Sequence, residues 1–132
     1  ARAVGQQMVV HGQGGRIINI ASVLGWRTAA KRVQSYAVSK AGMISLTETL
    51  ALELGRYGIL VNAIGPGYIK TELNSWFLES ESGQRIQKRT ALGRFGDPAD
   101  LDGTLLLLAS PAGAYITGSV IAVDGGLTLS TL

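Results

Sequence analysis

Three side chains in the early part of the chain have the types and spacing of proton-transfer machinery: Ser22, Tyr36 and Lys40. Residues four apart on a helix stand on the same face, so a helix through this stretch projects Tyr36 and Lys40 together. A free tyrosine, with a pKa of about 10, is a poor acid or base at neutral pH, but a neighbouring ammonium stabilises the phenolate and brings proton exchange within reach. Ser22 follows the run Arg16-Ile17-Ile18-Asn19-Ile20-Ala21, which reads as a buried parallel strand. Side chains at the carboxyl ends of such strands border the ligand crevice, and a hydroxyl there can hold a substrate carbonyl oxygen. Taken alone, a tyrosine and a lysine at this spacing describe a solvated helix face more often than a site, so the surrounding elements decide.

Those elements alternate. An apolar spacing at Ala3, Val4, Met8 and Val9 opens the chain as one helix face, ended by His11, Gly12, Gly14 and Gly15. His11 there reads as a helix-end cation or surface residue, with no companion that would make it a metal ligand. The strand over 16–22 is followed by a loop to residue 35, then by a helix over 36–57 that stops at Gly58. The apolar residues of that helix cover more than one face, which predicts a second partner, such as another subunit, beyond the sheet it lies on. A second strand over 59–64, with Asn62 as its polar break, ends at Gly65-Pro66-Gly67, a turn that lets backbone approach a ligand closely. Residues 68–96 lack a clean period and read as a lid with short helices around 71–78 and 84–90. Asp97 and Pro98 mark the start of a helix to about residue 109, with Asp97 as the capping acceptor and Asp100 favourably placed in the first turn. A third strand over 119–124 stops at Gly125-Gly126. This order predicts an α/β fold, a parallel sheet between helix layers.

Composition removes several other classes. At 132 residues, 46% hydrophobic and 16% charged, the chain has the balance of one globular domain with a sizeable core. The net charge of +3 is small and scattered despite a pI near 9.5, and the mean hydropathy is +0.25. The tightest basic group, Arg85, Lys88, Arg89 and Arg94, has no interleaved aromatics, so no nucleic-acid partner is expected. Without cysteine there is no disulfide frame or thiolate metal site, and no metal is expected. The longest aliphatic run, at 105–109, is far too short for a membrane span, and a cytoplasmic protein is expected.

Four stretches, in order, resemble the short-chain dehydrogenases/reductases, and in particular their 3-oxoacyl carrier-protein reductase-like branch. Gly15 through Ser22 is similar to the family's strand leading to a catalytic serine, and Tyr36-Ala37-Val38-Ser39-Lys40 to its Tyr-x-x-x-Lys motif. Asn62 through Gly67 resembles its Asn-x-x-x-Pro-Gly turn, and Thr117-Gly118 with Val123-Asp124-Gly125-Gly126 its closing strand. The resemblance covers nearly the whole chain. It implies a three-layer αβα Rossmann-like parallel sheet forming the C-terminal half of a doubly wound dinucleotide-binding domain, as a single partial domain over 1–132. It implies an NAD(P)-dependent oxidoreductase interconverting a secondary alcohol and a ketone, a carbonyl reductase or alcohol dehydrogenase. Tyr36 would donate or accept the proton, Lys40 would assist it and bind the nicotinamide ribose, and Ser22 would orient the carbonyl. Pro66, Gly67, Ile69 and Thr71 would join Tyr36 and Lys40 around the cofactor, with Trp76 and Phe77 as substrate-wall residues in the lid. A homodimer or homotetramer would be expected.

The family's first half, with its Gly-rich phosphate turn, does not appear in these 132 residues. The chain opens inside a helical pattern without an initiator methionine and reads as a fragment, from which NAD or NADP cannot be told apart. The alternative expectation is a catalytically inactive fragment acting only as a folding or subunit-assembly module.

Overall fold

The computed structural model describes residues 2–27 and 33–129. The sequence-predicted loop residues 28–32 and the end of the apolar C-terminus at 130–132 lie outside the described residues. Among the described residues, eight helices and strands follow one another: α1 (Arg2–His11), β1 (Gly15–Ile20), α2 (Gln34–Leu54), β2 (Ile59–Pro66), α3 (Ser75–Leu78), α4 (Glu81–Arg89), α5 (Asp102–Ala109) and β3 (Val120–Val123). The strands form one parallel sheet in the order β1-β2-β3, with Ile20 paired to Ile64 and Pro66 to Val123. Parallel strands need long crossovers, and α2 and then the segment over 67–119 with α5 supply them.

The central strand β2 is the core. Ile59, Val61 and Ala63 are fully buried, and Ile59 and Val61 pack with Ala51 of α2 against Met8, Val9, Ile17 and Leu54. Two buried polar contacts fix the layers in register. Asn19 Nδ2 donates to Thr47 Oγ1 at 2.9 Å, joining β1 to α2, and Thr47 in turn donates to Met43 O. On β2, Asn62 Nδ2 donates to Ile116 O at 2.7 Å while its Oδ1 accepts from Ser119 N at 3.0 Å. The polar break in the strand is therefore the clasp that holds the approach to β3. Helix α5 packs on β1 and β2 and buries Leu108, completing the αβα sandwich.

Several boundaries differ from those expected, each for a local reason. β1 ends at Ile20 because Ser22 turns its side chain to cap the single 3-10 turn at Val23–Gly25. α2 begins two residues earlier than expected, with no side-chain cap to announce it, and Gly58 at φ 70° ends the chain's excursion after a 3-10 turn at Gly55–Tyr57. The expected helix at 71–78 shortens to α3 because the Asn74 side chain faces backwards, accepting from Thr71 N and donating to Ile69 O. Asp97 takes the cap position ahead of a 3-10 turn at Pro98–Leu101 that leads into α5, and Asp100 Oδ2 accepts from Asp97 N at 2.8 Å. Apolar side chains on the outer faces of α1 and α2 stand open, with Leu52 86%, Val10 80% and Val38 71% exposed. No helix among the described residues is long and apolar enough to cross a membrane.

Candidate active site

The two strand ends that meet at the carboxyl edge of the sheet carry the residues with chemistry. Ala21 N donates to Ile64 O at 2.8 Å, which sets Ser22 beside the end of β2. Ser22 is only 6% exposed, and its Oγ accepts from Leu24 N at 3.2 Å. Because that contact uses the oxygen as acceptor, the hydroxyl proton is available to donate elsewhere. Glycine at 25 lets the following turn lie against α2: a Cβ there would fall 2.9 Å from the Lys40 carbonyl carbon and 2.8 Å from Ile44 Cδ1. Serine and lysine are thus held by one close backbone contact.

Tyr36 and Lys40 share a face of the first turns of α2, and the Lys40 ammonium stands 5.6 Å from the Tyr36 ring centroid. Lys40 Nζ donates to Ile20 O at 2.7 Å, so the cation is anchored to the last residue of β1, two positions before Ser22. Tyr36 remains 46% exposed, open to a ligand. An ammonium carries several N–H donors, and the bond to Ile20 leaves others for a ligand.

The turn after β2 is held from beneath. Gly67 N donates to Val123 O at 3.0 Å, and a Cβ on Gly67 would lie 2.8 Å from Asp124 Cα. Gly67→Ala should therefore cost about 1–3 kcal/mol of stability by wedging β2 from β3, read by urea denaturation. Asp124 accepts from Gly126 N at 2.9 Å and Thr128 N at 2.8 Å. Partial burial pushes its carboxyl upward, but these N–H groups outweigh it and hold the pKa below the ordinary 3.8.

Residues 68–96 leave and re-enter the body at one point. Ile69 bridges Gly96 in parallel, with Lys70 N donating to Gly96 O at 2.7 Å and Gly96 N to Tyr68 O at 3.0 Å. Arg94 closes this base by a two-pronged bond to Asp100, at 2.7 and 3.0 Å. The Arg94 guanidinium and then the Asp97 N–H hold the Asp100 carboxyl down at about 2. A lowered carboxylate pKa contributes stability that is fully present above the ordinary 3.8 and is lost as pH falls through about 2. In thermal unfolding across that acid window, Asp100→Asn should show a smaller fall in Tm than the parent.

The predicted cofactor residues Pro66, Gly67, Ile69 and Thr71 follow one another out of β2 at this edge, and Asn74 clasps the turn from Ile69 to Thr71 from its far side. The predicted wall residues lie in α3: Phe77 stacks on Tyr68 with centroids 6.2 Å apart, and Trp76 meets Phe77 edge-on at 5.9 Å. Trp76 is 74% exposed, its indole N–H bonded to Leu73 O. Tyr68, which carried no sequence signal beyond following Pro66-Gly67, joins the two groups. Burial first, and then the charge of the neighbouring Tyr36, raise its pKa above the ordinary 10.0. A cavity of about 150 Å³ lies behind Tyr68 and Ile69, bounded by Arg94 and Asp124, and does not include Ser22, Tyr36 or Lys40.

The donor set suits a nicotinamide riboside: an anchored ammonium with N–H groups to spare, a phenol beside it, and a glycine-containing turn at the carboxyl end of a central parallel strand. No group of three or more His, Cys, Asp or Glu capable of holding a metal occurs among the described residues.

A family model described as enoyl-(acyl carrier protein) reductase matches residues 1–128. The 3-oxoacyl-[acyl-carrier-protein] reductase FabG of Aquifex aeolicus is 42% identical over 113 residues, 86% of this chain and 45% of that protein. L-Rhamnose-1-dehydrogenase of Scheffersomyces stipitis is 43% identical over 127 residues, 96% of this chain and 49% of that protein. The crystal structure of a gluconate 5-dehydrogenase from Burkholderia cenocepacia in complex with NADP and tartrate superposes with a TM-score of 0.93 at 37% identity, covering 99% of this chain and 51% of its own. The chain spans about half the length of the curated relatives it matches. Since the match runs through every strand and both strand-end turns, the chain belongs to the short-chain dehydrogenase/reductase family of oxidoreductases.

Proposed function

We propose that Ser22, Tyr36 and Lys40 form the proton-transfer site of an NAD(P)-dependent oxidoreductase that interconverts a secondary alcohol and a ketone. The observation that carries this reading is the Lys40 ammonium, tied to the carbonyl of Ile20 at the end of β1 and set 5.6 Å from the Tyr36 ring. In the reductive direction, Ser22 Oγ–H and Tyr36 Oη–H donate to the substrate carbonyl oxygen and fix it. A bound nicotinamide supplies the hydride that protein side chains cannot. As negative charge develops on the oxygen, the Tyr36 proton passes to it, and the adjacent ammonium stabilises the phenolate left behind. In the oxidative direction the phenolate takes the alcohol proton. Lys40 also offers N–H donors to the ribose hydroxyls, and Pro66, Gly67, Ile69 and Thr71 line the nicotinamide side.

The substrate is a small-molecule carbonyl or alcohol, bounded on the lid side by Phe77 and Trp76. Relatives whose names give them L-rhamnose, gluconate or 3-oxoacyl-[acyl-carrier-protein] substrates support the reaction class without choosing among those substrates. The open apolar faces of α1 and α2 support assembly with a second copy, as a homodimer or homotetramer. Leu52→Glu should shift the encoded protein to a smaller species in size-exclusion chromatography with light scattering.

The reaction is tested by following NADH and NADPH absorbance with the encoded protein and a panel of ketones. Ketone-dependent oxidation that disappears in Tyr36→Phe is expected. Cofactor binding without ketone-dependent oxidation across the panel would count against the reaction, and undiminished turnover in Tyr36→Phe against the assigned site.

A further inference from the structure

Gly65, the buried residue before Pro66, is covered by the Trp26 indole. A Cβ at position 65 would lie 2.6 Å from Trp26 Cζ3 and closer still to Cη2, nearer than side-chain carbons approach one another, so the six-membered ring occupies the place a side chain would take. The indole is not resting there by chance of a loose loop. The turn that carries it is capped by Ser22 Oγ at Leu24 N, closed by Gly25 N on Ser22 O at 2.9 Å, and pressed through Gly25 onto the backbone of Lys40. Trp26 N continues the same turn with a 3.3 Å bond to Val23 O. One part of the ring is thus seated on Gly65 at the end of β2, where the chain enters the Pro66-Gly67 turn, and its backbone belongs to the turn that Ser22 caps. The residue as a whole remains 43% exposed.

We propose that Trp26 is a specificity-determining residue of the carbonyl site and that glycine at position 65 is what seats it. The inference rests on the reading of Ser22, Tyr36 and Lys40 as that site. A flat, partly exposed indole beside a few convergent polar groups is the make-up of a pocket that orients by polar contacts and discriminates by shape. Its π face packs best on a flat surface of C–H groups, as a carbon ring presents, whereas an open chain of equal size must lose rotational freedom to offer the same contact. The ligand class is therefore a compact cyclic alcohol or ketone.

The test compares cyclohexanone with 2-hexanone, ketones of equal carbon count, in the encoded protein. The parent should favour cyclohexanone in kcat/KM, and Trp26→Ala should erase about tenfold of that preference through KM for the ring ketone, with KM for NAD(P)H little changed. Trp26→Phe, which keeps a ring, should retain most of it. Gly65→Ala should mimic Trp26→Ala, and the double variant should be no worse than the poorer single one, because both remove the same contact. Equal preference in parent and Trp26→Ala, or additive losses in the double variant, would overturn the proposal. If Gly65→Ala does not fold, the two Trp26 variants decide alone. A second readout is independent of turnover: in a background with Trp76 and every tryptophan outside these 132 residues replaced by phenylalanine, Trp26 is the indole that reports, and its emission should change saturably with cyclohexanone. Absence of ketone reduction in the parent would contradict the site reading itself, and a Trp26 emission indifferent to cyclohexanone would overturn the specificity role.

Discussion

Tyr36→Phe should lower kcat for ketone reduction by about 10²–10⁴-fold, the range contributed by a positioned general acid. The change removes one oxygen and leaves the ring that the Lys40 ammonium faces at 5.6 Å, so α2 and its anchor to Ile20 should persist. NAD(P) binding measured by calorimetry should move by less than about threefold, because the phenol is asked to act on the reacting oxygen rather than to hold the cofactor alone. Lys40→Met should differ in kind. Losing the ammonium removes the charge that stabilises phenolate, the bond to Ile20 O and the donors offered to the ribose, so cofactor KM and kcat should suffer together.

Asn62→Leu carries the largest expected effect on stability. Asn62 is 2% exposed and satisfies two backbone groups of the segment before β3, the carbonyl of Ile116 and the N–H of Ser119. Leucine fills a similar volume but leaves both groups without that partner. A buried unsatisfied donor or acceptor costs roughly 1–3 kcal/mol, so the loss should be about 2–4 kcal/mol in urea denaturation. The neighbouring bonds, Val61 N to Thr117 Oγ1 at 3.1 Å and Gly118 N to Val61 O at 2.7 Å, keep the segment near its place and limit the damage. A loss under about 0.5 kcal/mol would mean that water replaces the side chain, and the clasp would then be incidental.

Asn62 also shows where the sequence stopped being informative. Its position in an apolar run marks a polar interruption, and the strand, the following turn and the Tyr-x-x-x-Lys spacing are all periodic or local signals that need no tertiary knowledge. What the side chain bonds to lies more than fifty residues away, and no local pattern encodes it. The same holds for Trp26 on Gly65 and for Gly25 on Lys40: glycine announces freedom of the backbone, but the group that fills the freed space comes from elsewhere. Asp97 and Asp100 stand where the sequence places them, at the cap and in the first turn, but their bonding is set by the fold. Both are acids at a helix start, and only the three-dimensional turn, with Arg94 drawn onto Asp100, determines which carboxylate takes the N–H. Before α3, Asn74 spends its side chain on the preceding turn instead of extending a helix, a choice between two local hydrogen-bonding options that composition leaves open. The candidate trio was legible because its three residues are few, close in sequence and fixed in spacing, and Trp76 and Phe77 were named from the sequence as candidate wall residues; the stacking of Phe77 on Tyr68 was not, because only the fold brings them together.

The position of one substrate oxygen decides whether Ser22 and Tyr36 act together. A crystal structure of the encoded protein with NAD(P)⁺ and a bound secondary alcohol, or with NAD(P)H and an unreactive ketone analogue, measures this. The predicted result is a single oxygen within about 3.2 Å of both Ser22 Oγ and Tyr36 Oη, with Lys40 Nζ in hydrogen-bond reach of the cofactor ribose. An oxygen held by other side chains, with Ser22 and Tyr36 turned to solvent or protein, would contradict it.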